Sequence, residues 1–569
     1  MTIHDHFNPD LLTHIPINAN TVLEVGCSTG ALGAEYKRRN PACRFFGIDQ
    51  HADAANLAAS RIDHVALCDV QQVPRPFGAE TFDCIVYGDV LEHLLDPWAV
   101  LRSHAAALNP GGTIVLCIPN VEHWSFTERL LRGNFDYADS GLFDRTHLRW
   151  FSDATIRRAL RDVGLVVCDM IPRVFDRDGA GAFAHAMRPA LRALGIDPQH
   201  YLQRATPLQL VYVARREAAS VFSIASTMLP PIGGVSHVRV IEPIAALATL
   251  PGIAARVVNA IDNIDVPDTP RIMILHRPAL IGEAGLEPVR KLLAKGYVLI
   301  CEFDDNPDFI PATMHPDMWN FRAVHAVQTS TEPLAERFRQ DNPEVMVFPN
   351  AINRLPDPAN FSNPARLNML FAGLNRQGDW PPYMEALNAV ANFAGDRLTI
   401  HIVADREAYD RLETPHKTFT PMCGYETYQA MLGACEISFM PLSDNVFNRG
   451  KSDLKFIEAA AHRVVPLASH VVYADSVVDG GTGVLFSTAD QLRQRLANLV
   501  ANPGAALRIA TDARAEVAAN RMLAYQVARR IAWYRSLWDR RESLHAALLA
   551  RLPQLAEAVV STDPLYNVG

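Results

Sequence analysis

Val22-Leu23-Glu24-Val25-Gly26-Cys27-Ser28-Thr29-Gly30 is an apolar run that gives way to two glycines at the point where a strand pattern turns into a helical one. Such a turn lets a ligand come close to the backbone, and the free N–H groups of the helix start face an anion. Position 28 separates the candidate ligands. A dinucleotide fingerprint G-x-G-x-x-G requires glycine there, and this chain has Ser28. A nicotinamide-dependent oxidoreductase is therefore the weaker reading of this turn.

Working outward, the first 216 residues alternate short β-branched or aromatic runs (TVLEVGC, CRFFGIDQ, DHVALCDV, FDCIVYGDV, GGTIVLCIPN) with helical patterns. That rhythm predicts βαβ units and a parallel sheet covered on both faces, with LVVCDMIP and LQLVYVARR as a closing edge pair. Asp49 ends the second strand, where a carboxylate can accept from both hydroxyls of a ribose. Asp69 ends the third, placed for an exocyclic adenine amine.

Glu24–Gly30, Asp49, Asp69 and Asp89–His93 resemble the pattern of class I S-adenosylmethionine-dependent methyltransferases: E-x-G-x-x-x-G, an acid after strand two, an acid after strand three, and D-x-x-E-H after strand four. The resemblance covers residues 1–216. It implies S-adenosyl-L-methionine as cofactor, with Glu24 among the residues that bind it, Gly26 and Gly30 close to the methionine part, Asp49 on the ribose, Asp69 on the adenine, and Asp89 to Leu91 on the pocket floor. Methyl transfer mainly needs in-line positioning, with a base where the nucleophile must lose a proton. His93, His123 and His147 are the candidates, and His93 and His147 are the two taken as catalytic. Asp144-Arg145-Thr146-His147-Leu148-Arg149 is polar beside an apolar run and is similar to segments in methyltransferases associated with glycan assembly. With no D/N-P-P-Y-like motif, a hydroxyl acceptor is preferred.

Polar ARREAAS (214–220) marks a junction, after which a second strand series begins (VFSIAST, ARVVNA, RIMILHRP, YVLICEFDD, AVHAVQTS, VMVFPNAI). The proline-rich segment 353–366 reads as a linker to a third series (LNMLFAG, LTIHIVAD, ISFMPL, VVPLAS, GVLFS). In the second series Gly233-Gly234-Val235-Ser236 is another glycine turn before a helical run. In the third, Lys451, Lys455 and Glu458 stand at i, i+4 and i+7 in a stretch predicted to open a helix from Asn448, on one face. Cations and helix N–H groups suit a diphosphate, and a carboxylate suits ribose hydroxyls.

The stretch 451–469, KSDLKFIEAAAHRVVPLAS, looks like the donor-binding helix and following strand of retaining GT-B glycosyltransferases, a resemblance spanning 221–538. It implies that Gly233, Gly234, Lys451, Lys455 and Glu458 bind a nucleotide-diphosphate sugar. Many members carry two glutamates eight positions apart. Here Gly450 stands where the first would be. Glu302-Phe303-Asp304-Asp305-Asn306 is a candidate for acceptor contacts or a helix-capping turn.

The expected fold is thus α/β: a Rossmann-like methyltransferase domain (1–216), then a GT-B glycosyltransferase of two Rossmann-like lobes (221–352 and 366–515), with a helical segment (516–569) packing back on the lobes. The expected function is a bifunctional enzyme of surface-glycan assembly acting on a saccharide or lipid-linked glycan. The alternative is an active methyltransferase with a degenerate GT-B domain that binds glycan or a partner. Composition fits: of 569 residues 49% are hydrophobic and 20% charged, and the net charge of −9 argues against nucleic-acid binding. No apolar run spans a bilayer and the start MTIHDHFNPD lacks signal-peptide regions, so a cytoplasmic protein with at most peripheral membrane contact is expected. Nine cysteines without a C-x-x-C pair read as reduced packing residues, and no metal is expected.

Overall fold

The structure is a computed structural model that describes residues 5–217, 221–231, 234–259, 261, 269–361, 363 and 366–556. Two compact units divide the chain, residues 1–220 with 249–252, and residues 221–248 with 253–569. Gly233 and the final STDPLYNVG, expected to be a donor-site glycine and a frayed tail, lie outside the described residues.

The first unit is built on seven strands, β1 (Thr21–Val25), β2 (Arg44–Asp49), β3 (His64–Leu67), β4 (Phe82–Gly88), β5 (Leu108–Pro119), β6 (Val166–Arg173) and β7 (Gln209–Arg215). Their order is β3-β2-β1-β4-β5-β7-β6. All pair in parallel except β7, which is antiparallel to both neighbours. Central strands are buried on both faces, so Val22, Leu23 and Val25, Ile85 to Tyr87 and Ile114 to Ile118 read as continuous apolar runs. The expected closing pair forms, with one refinement. Apolar β7 inserts beside β5 and the more exposed β6 takes the edge. Val25 is in register with Ile48 and with Tyr87, which brings the turns after β1, β2 and β4 to one end of the sheet.

The second unit holds two six-stranded, wholly parallel sheets. The first lobe contains β8 (Phe222–Thr227), β9 (Ile253–Val258), β10 (Arg271–His276), β11 (Val298–Glu302), β12 (Ala326–Thr329) and β13 (Val345–Val347), ordered β13-β12-β11-β10-β8-β9. The second contains β14 (Leu367–Ala372), β15 (Leu398–Val403), β16 (Lys417–Thr420), β17 (Ile437–Met440), β18 (Val465–Ser469) and β19 (Val484–Phe486), ordered β16-β15-β14-β17-β18-β19. This is the two-lobed GT-B arrangement. Strand order reverses between β8 and β10 and between β14 and β17, the positions where open α/β sheets bind ligands. The helices Val527–Asp539 and Arg541–Arg551 return to the first lobe, where Leu548, Leu552 and Leu555 enter its core and Trp533 packs edge-on to Phe348 at 5.6 Å. Among the described residues, no helix is long and apolar enough to cross a membrane.

Candidate active sites

In the first unit the turn after β1 is held by Gly26 N and Cys27 N, which donate to Ile48 O at 2.8 and 3.0 Å. Gly26 and Gly30 both adopt φ +72°, a left-handed conformation that side chains resist, and a Cβ at Gly26 would lie 2.6 Å from Val90 Cγ2. Asp49, buried at the end of β2, accepts from Ser28 N through Oδ2 and from His51 N through Oδ1, each at 2.8 Å. The residue that displaces the dinucleotide glycine thus binds the strand-two acid. Asp69 accepts from Gln71 N at 2.9 Å. Asp89 sits at φ +55° and accepts from Gln209 Nε2 at 2.6 Å, and burial raises its carboxyl above the ordinary range. Leu91 belongs to the apolar core.

Glu24, near the end of β1, is buried and its Oε2 has no hydrogen-bond partner. Burial, with the nearby Asp49 charge adding to it, raises the Glu24 carboxyl well above its usual value. An acceptor of this kind is satisfied by a donor brought in by a ligand, and an ammonium group supplies both proton and charge. The acidic groups at the ends of β1, β2 and β3 and the glycine turn fit S-adenosyl-L-methionine.

The D-x-x-E-H and D-R-T-H-L-R stretches, distant in sequence, come together. Leu148 N and Arg149 N both donate to Glu92 O, at 2.7 and 2.9 Å. His93 Nδ1 lies 3.1 Å from Thr146 O and 3.0 Å from Thr146 Oγ1, and His147 Nδ1 lies 3.2 Å from Leu142 O. The two imidazole centroids are 4.9 Å apart, edge to face. Trp150 packs edge to face on His147 at 5.7 Å and on Phe126, which stacks in turn on Phe143. Burial lowers the pKa of His147, with the adjacent His93 acting in the same direction. His123 is instead a buried helix cap whose Nδ1 faces Ser125 Oγ at 2.7 Å, and burial brings it down to about 4. Sequence reasoning passed over Glu92. Its only signal was its place in D-x-x-E-H. It is 1% exposed with neither carboxylate oxygen partnered, and burial, then the charge of Asp89, raises its pKa well above the usual range.

In the second unit the expected single helical face is corrected. Val446–Arg449 form a short helix, the chain turns through residues 450–453, and a new helix runs Leu454–Ala461. Tertiary contacts hold the turn out of the helix: Arg521 clamps both oxygens of Asp453 at 2.6 and 2.8 Å, and Asn350 Nδ2 donates to Ser452 Oγ at 2.8 Å. Lys451 therefore comes from the turn, with its Nζ 3.7 Å from Asp305 and 4.1 Å from the Phe447 ring centroid. Lys455 and Glu458 remain on one helix face. Lys455 Nζ donates to Ala372 O at the end of β14, at 2.5 Å. Burial, then the neighbouring Arg376 charge, brings its ammonium down to about 7.

Glu458 is already engaged. Its Oε1 accepts from Tyr425 Oη at 2.7 Å and Gln429 Nε2 at 3.0 Å, and its Oε2 from Tyr428 Oη at 3.1 Å. Gly234 lies against the same tyrosine, since a Cβ there would meet Tyr425 Cε2 at 2.7 Å, and His237 stacks on Tyr425 at 4.8 Å. Gly450 fits closely too: a side chain would start 3.3 Å from Leu334, and Gly450 O accepts from Thr331 Oγ1 at 3.0 Å. A cavity of about 610 Å³ opens beside this turn, lined by Phe309, Asn375, Asp379 and Asn445 to Asn448. The 302–306 stretch divides its work. Glu302 pairs with Arg239 in the core, Asp304 pairs with Arg277 at 2.7 Å, and Asn306 caps a short 3-10 turn.

Residues 6–169 match the profile of a methyltransferase domain family. The N-terminal unit carries a methyltransferase domain. A ubiquinone biosynthesis O-methyltransferase of Neisseria meningitidis serogroup C is 28% identical over 181 residues, which is 30% of this chain and 74% of that protein. An uncharacterized methyltransferase of Mycobacterium bovis is 26% identical over 160 residues, 27% of this chain and 76% of that protein. Among solved structures, a mutant of S. aureus TarM in complex with Fondaparinux, alpha-GlcNAc-glycerol and UDP is similar at 14% identity and TM-score 0.36, over 46% of this chain and 55% of that chain. HepE of Anabaena in complex with UDP and glucose is similar at 13% identity and TM-score 0.38, over 55% of this chain and 99% of HepE. The chain therefore spans about half the length of TarM.

Proposed function

We propose that this chain is a bifunctional enzyme of glycan assembly in the cytoplasm. Its N-terminal unit methylates a hydroxyl, preferably on a sugar, and its GT-B unit transfers a glycosyl group from a nucleotide-diphosphate sugar to a saccharide or lipid-linked glycan. The observation that carries the reading is the grouping of Glu24, Gly26, Gly30, Asp49 and Asp69 at one end of the β3-β2-β1-β4 sheet, with an unpartnered acceptor on Glu24. S-adenosyl-L-methionine, when bound, supplies an electrophilic methyl group on a sulfonium. Glu24 would hold its ammonium, Asp49 its ribose and Asp69 its adenine. The Neisseria relative is an O-methyltransferase, which supports an oxygen acceptor. His93 and His147, with Nδ1 tied to backbone carbonyls, would act through Nε2, with Phe126 and Trp150 as apolar neighbours.

In the GT-B unit, Lys451 and Lys455 converge from the turn and the following helix, and fixed cations stabilise a diphosphate leaving group as it gains charge. A second reading, a degenerate GT-B unit that recognises glycan or a partner, is favoured by the engagement of Glu458. Glu458 already accepts from Tyr425, Tyr428 and Gln429.

Calorimetric titration of the full chain with S-adenosylhomocysteine and with UDP, GDP and dTDP separates the readings. Binding of both ligand classes, with the first lost in Asp49→Ala and the second in Lys451→Ala, supports two independent sites. Absence of any nucleotide binding leaves the methyltransferase alone.

A further inference from the structure

We propose that Glu92, His93 and His147 form a binding site for a divalent first-row transition ion of the zinc or manganese kind, beside the Asp89–Leu91 turn. One ligand atom from each residue lies within 4.8 Å of the others. A bound ion with metal–nitrogen distances of about 2.0–2.1 Å would draw them in by roughly an ångström. Both imidazoles are oriented for ligation. With Nδ1 against the carbonyls of Thr146 and Leu142, the proton resides on Nδ1 and the lone pair is presented at Nε2.

Glu92 supplies an independent observation. Its side chain is almost fully buried, stands within the cluster, and has no partner for either oxygen. A buried carboxylate without a counter-charge is costly, and a cation is the partner that satisfies both oxygens there. The backbone also prepares the site, because Glu92 O receives the N–H groups of Leu148 and Arg149 and so locks the His147 loop against the β4 turn. Two imidazoles and one carboxylate suit a transition ion rather than the all-oxygen shells of magnesium or calcium, and three protein ligands leave a position open.

Resting on the methyltransferase reading, that open position takes the oxygen of the acceptor hydroxyl. The O–H bond breaks, its proton leaves to solvent water and the electron pair stays on oxygen. His93 and His147 are then ligands, and the cation does the work otherwise assigned to a base.

The test uses the full chain, stripped with a chelator, dialysed, and titrated with Co²⁺ by visible absorption and calorimetry, with Zn²⁺ as competitor. One Co²⁺ per chain with visible d–d bands is expected, displaced by Zn²⁺. His147→Ala and the near-isosteric Glu92→Gln should each weaken binding by at least about tenfold. His185→Ala, an exposed histidine on the helix Arg177–Ala193, should leave it unchanged. Wild-type protein that binds neither ion, or binding indifferent to His147→Ala, overturns the site. S-adenosylhomocysteine titrated in parallel should bind every variant, and its failure to bind the wild type removes the methyltransferase reading whatever the cobalt result.

Discussion

Lys455→Met should stabilise the GT-B unit while abolishing its response to nucleotide diphosphates. Burial holds the Lys455 ammonium at about 7 in place of 10.5. At about 1.4 kcal/mol per pH unit this displacement corresponds to roughly 5 kcal/mol against the charged form. Residual solvent contact and the lost bond to Ala372 O reduce the expected net gain to about 2 kcal/mol. Below about pH 7 both folded and unfolded chains carry the charge, so the folded state bears the full penalty. Between about 7 and 10.5 the folded lysine is neutral while the unfolded one is charged, and wild-type stability rises with pH. The methionine advantage is therefore largest below pH 7 and fades toward 10.5. Calorimetric melting of the full chain reads it as a rise of roughly 3 °C in the transition that S-adenosylhomocysteine does not move. A variant less stable than wild type at about pH 6, or an advantage that grows with pH, refutes the reasoning.

Burial, with the Glu458 charge, raises Glu242 to about 7, so its contribution to stability is full below its ordinary 4.5 and is lost as pH rises through about 7. Glu242→Gln should flatten that slope in melting runs across the window, and an unchanged slope counts against burial of Glu242 as its cause. Arg239 holds Glu302 at 2.9 and 3.1 Å with both side chains buried, so Arg239→Met should destabilise the unit by about 3–5 kcal/mol, partly restored by adding Glu302→Met. Additive losses in urea unfolding would show that the two do not act as a pair. Tyr425→Phe removes the 2.7 Å bond to Glu458 and should tighten nucleotide-diphosphate binding by about tenfold, since a bond to a charged group is worth about 1.5–3 kcal/mol. Unaltered or weaker affinity by calorimetry would place the ribose elsewhere.

Much of the fold was legible because parallel strands buried on both faces write themselves as unbroken apolar runs, with glycines or acids marking their ends. The turn at Gly26 to Gly30, Asp49 and Asp69 was legible for the same reason, each lying next to the strand that positions it. The Lys451 to Glu458 helix misled because i, i+4, i+7 spacing is a local signal, whereas Arg521 and Asn350, distant in sequence, break the helix at Ser452 and Asp453. Glu92 was overlooked because nothing in D-V-L-E-H says that its carboxylate turns inward without a partner.

By itself the amino-acid sequence determined three α/β sheets, the glycine turn with its following acids, and the two lysines of the proposed diphosphate site. Each of these is set by periodicity or by residues within one strand–turn–helix unit. Only the tertiary structure decided that β7 enters between β5 and β6, that the His147 loop docks on Glu92, and that Tyr425 already occupies Glu458. These depend on backbone groups and side chains that are far apart along the chain and meet only when the sheets are assembled.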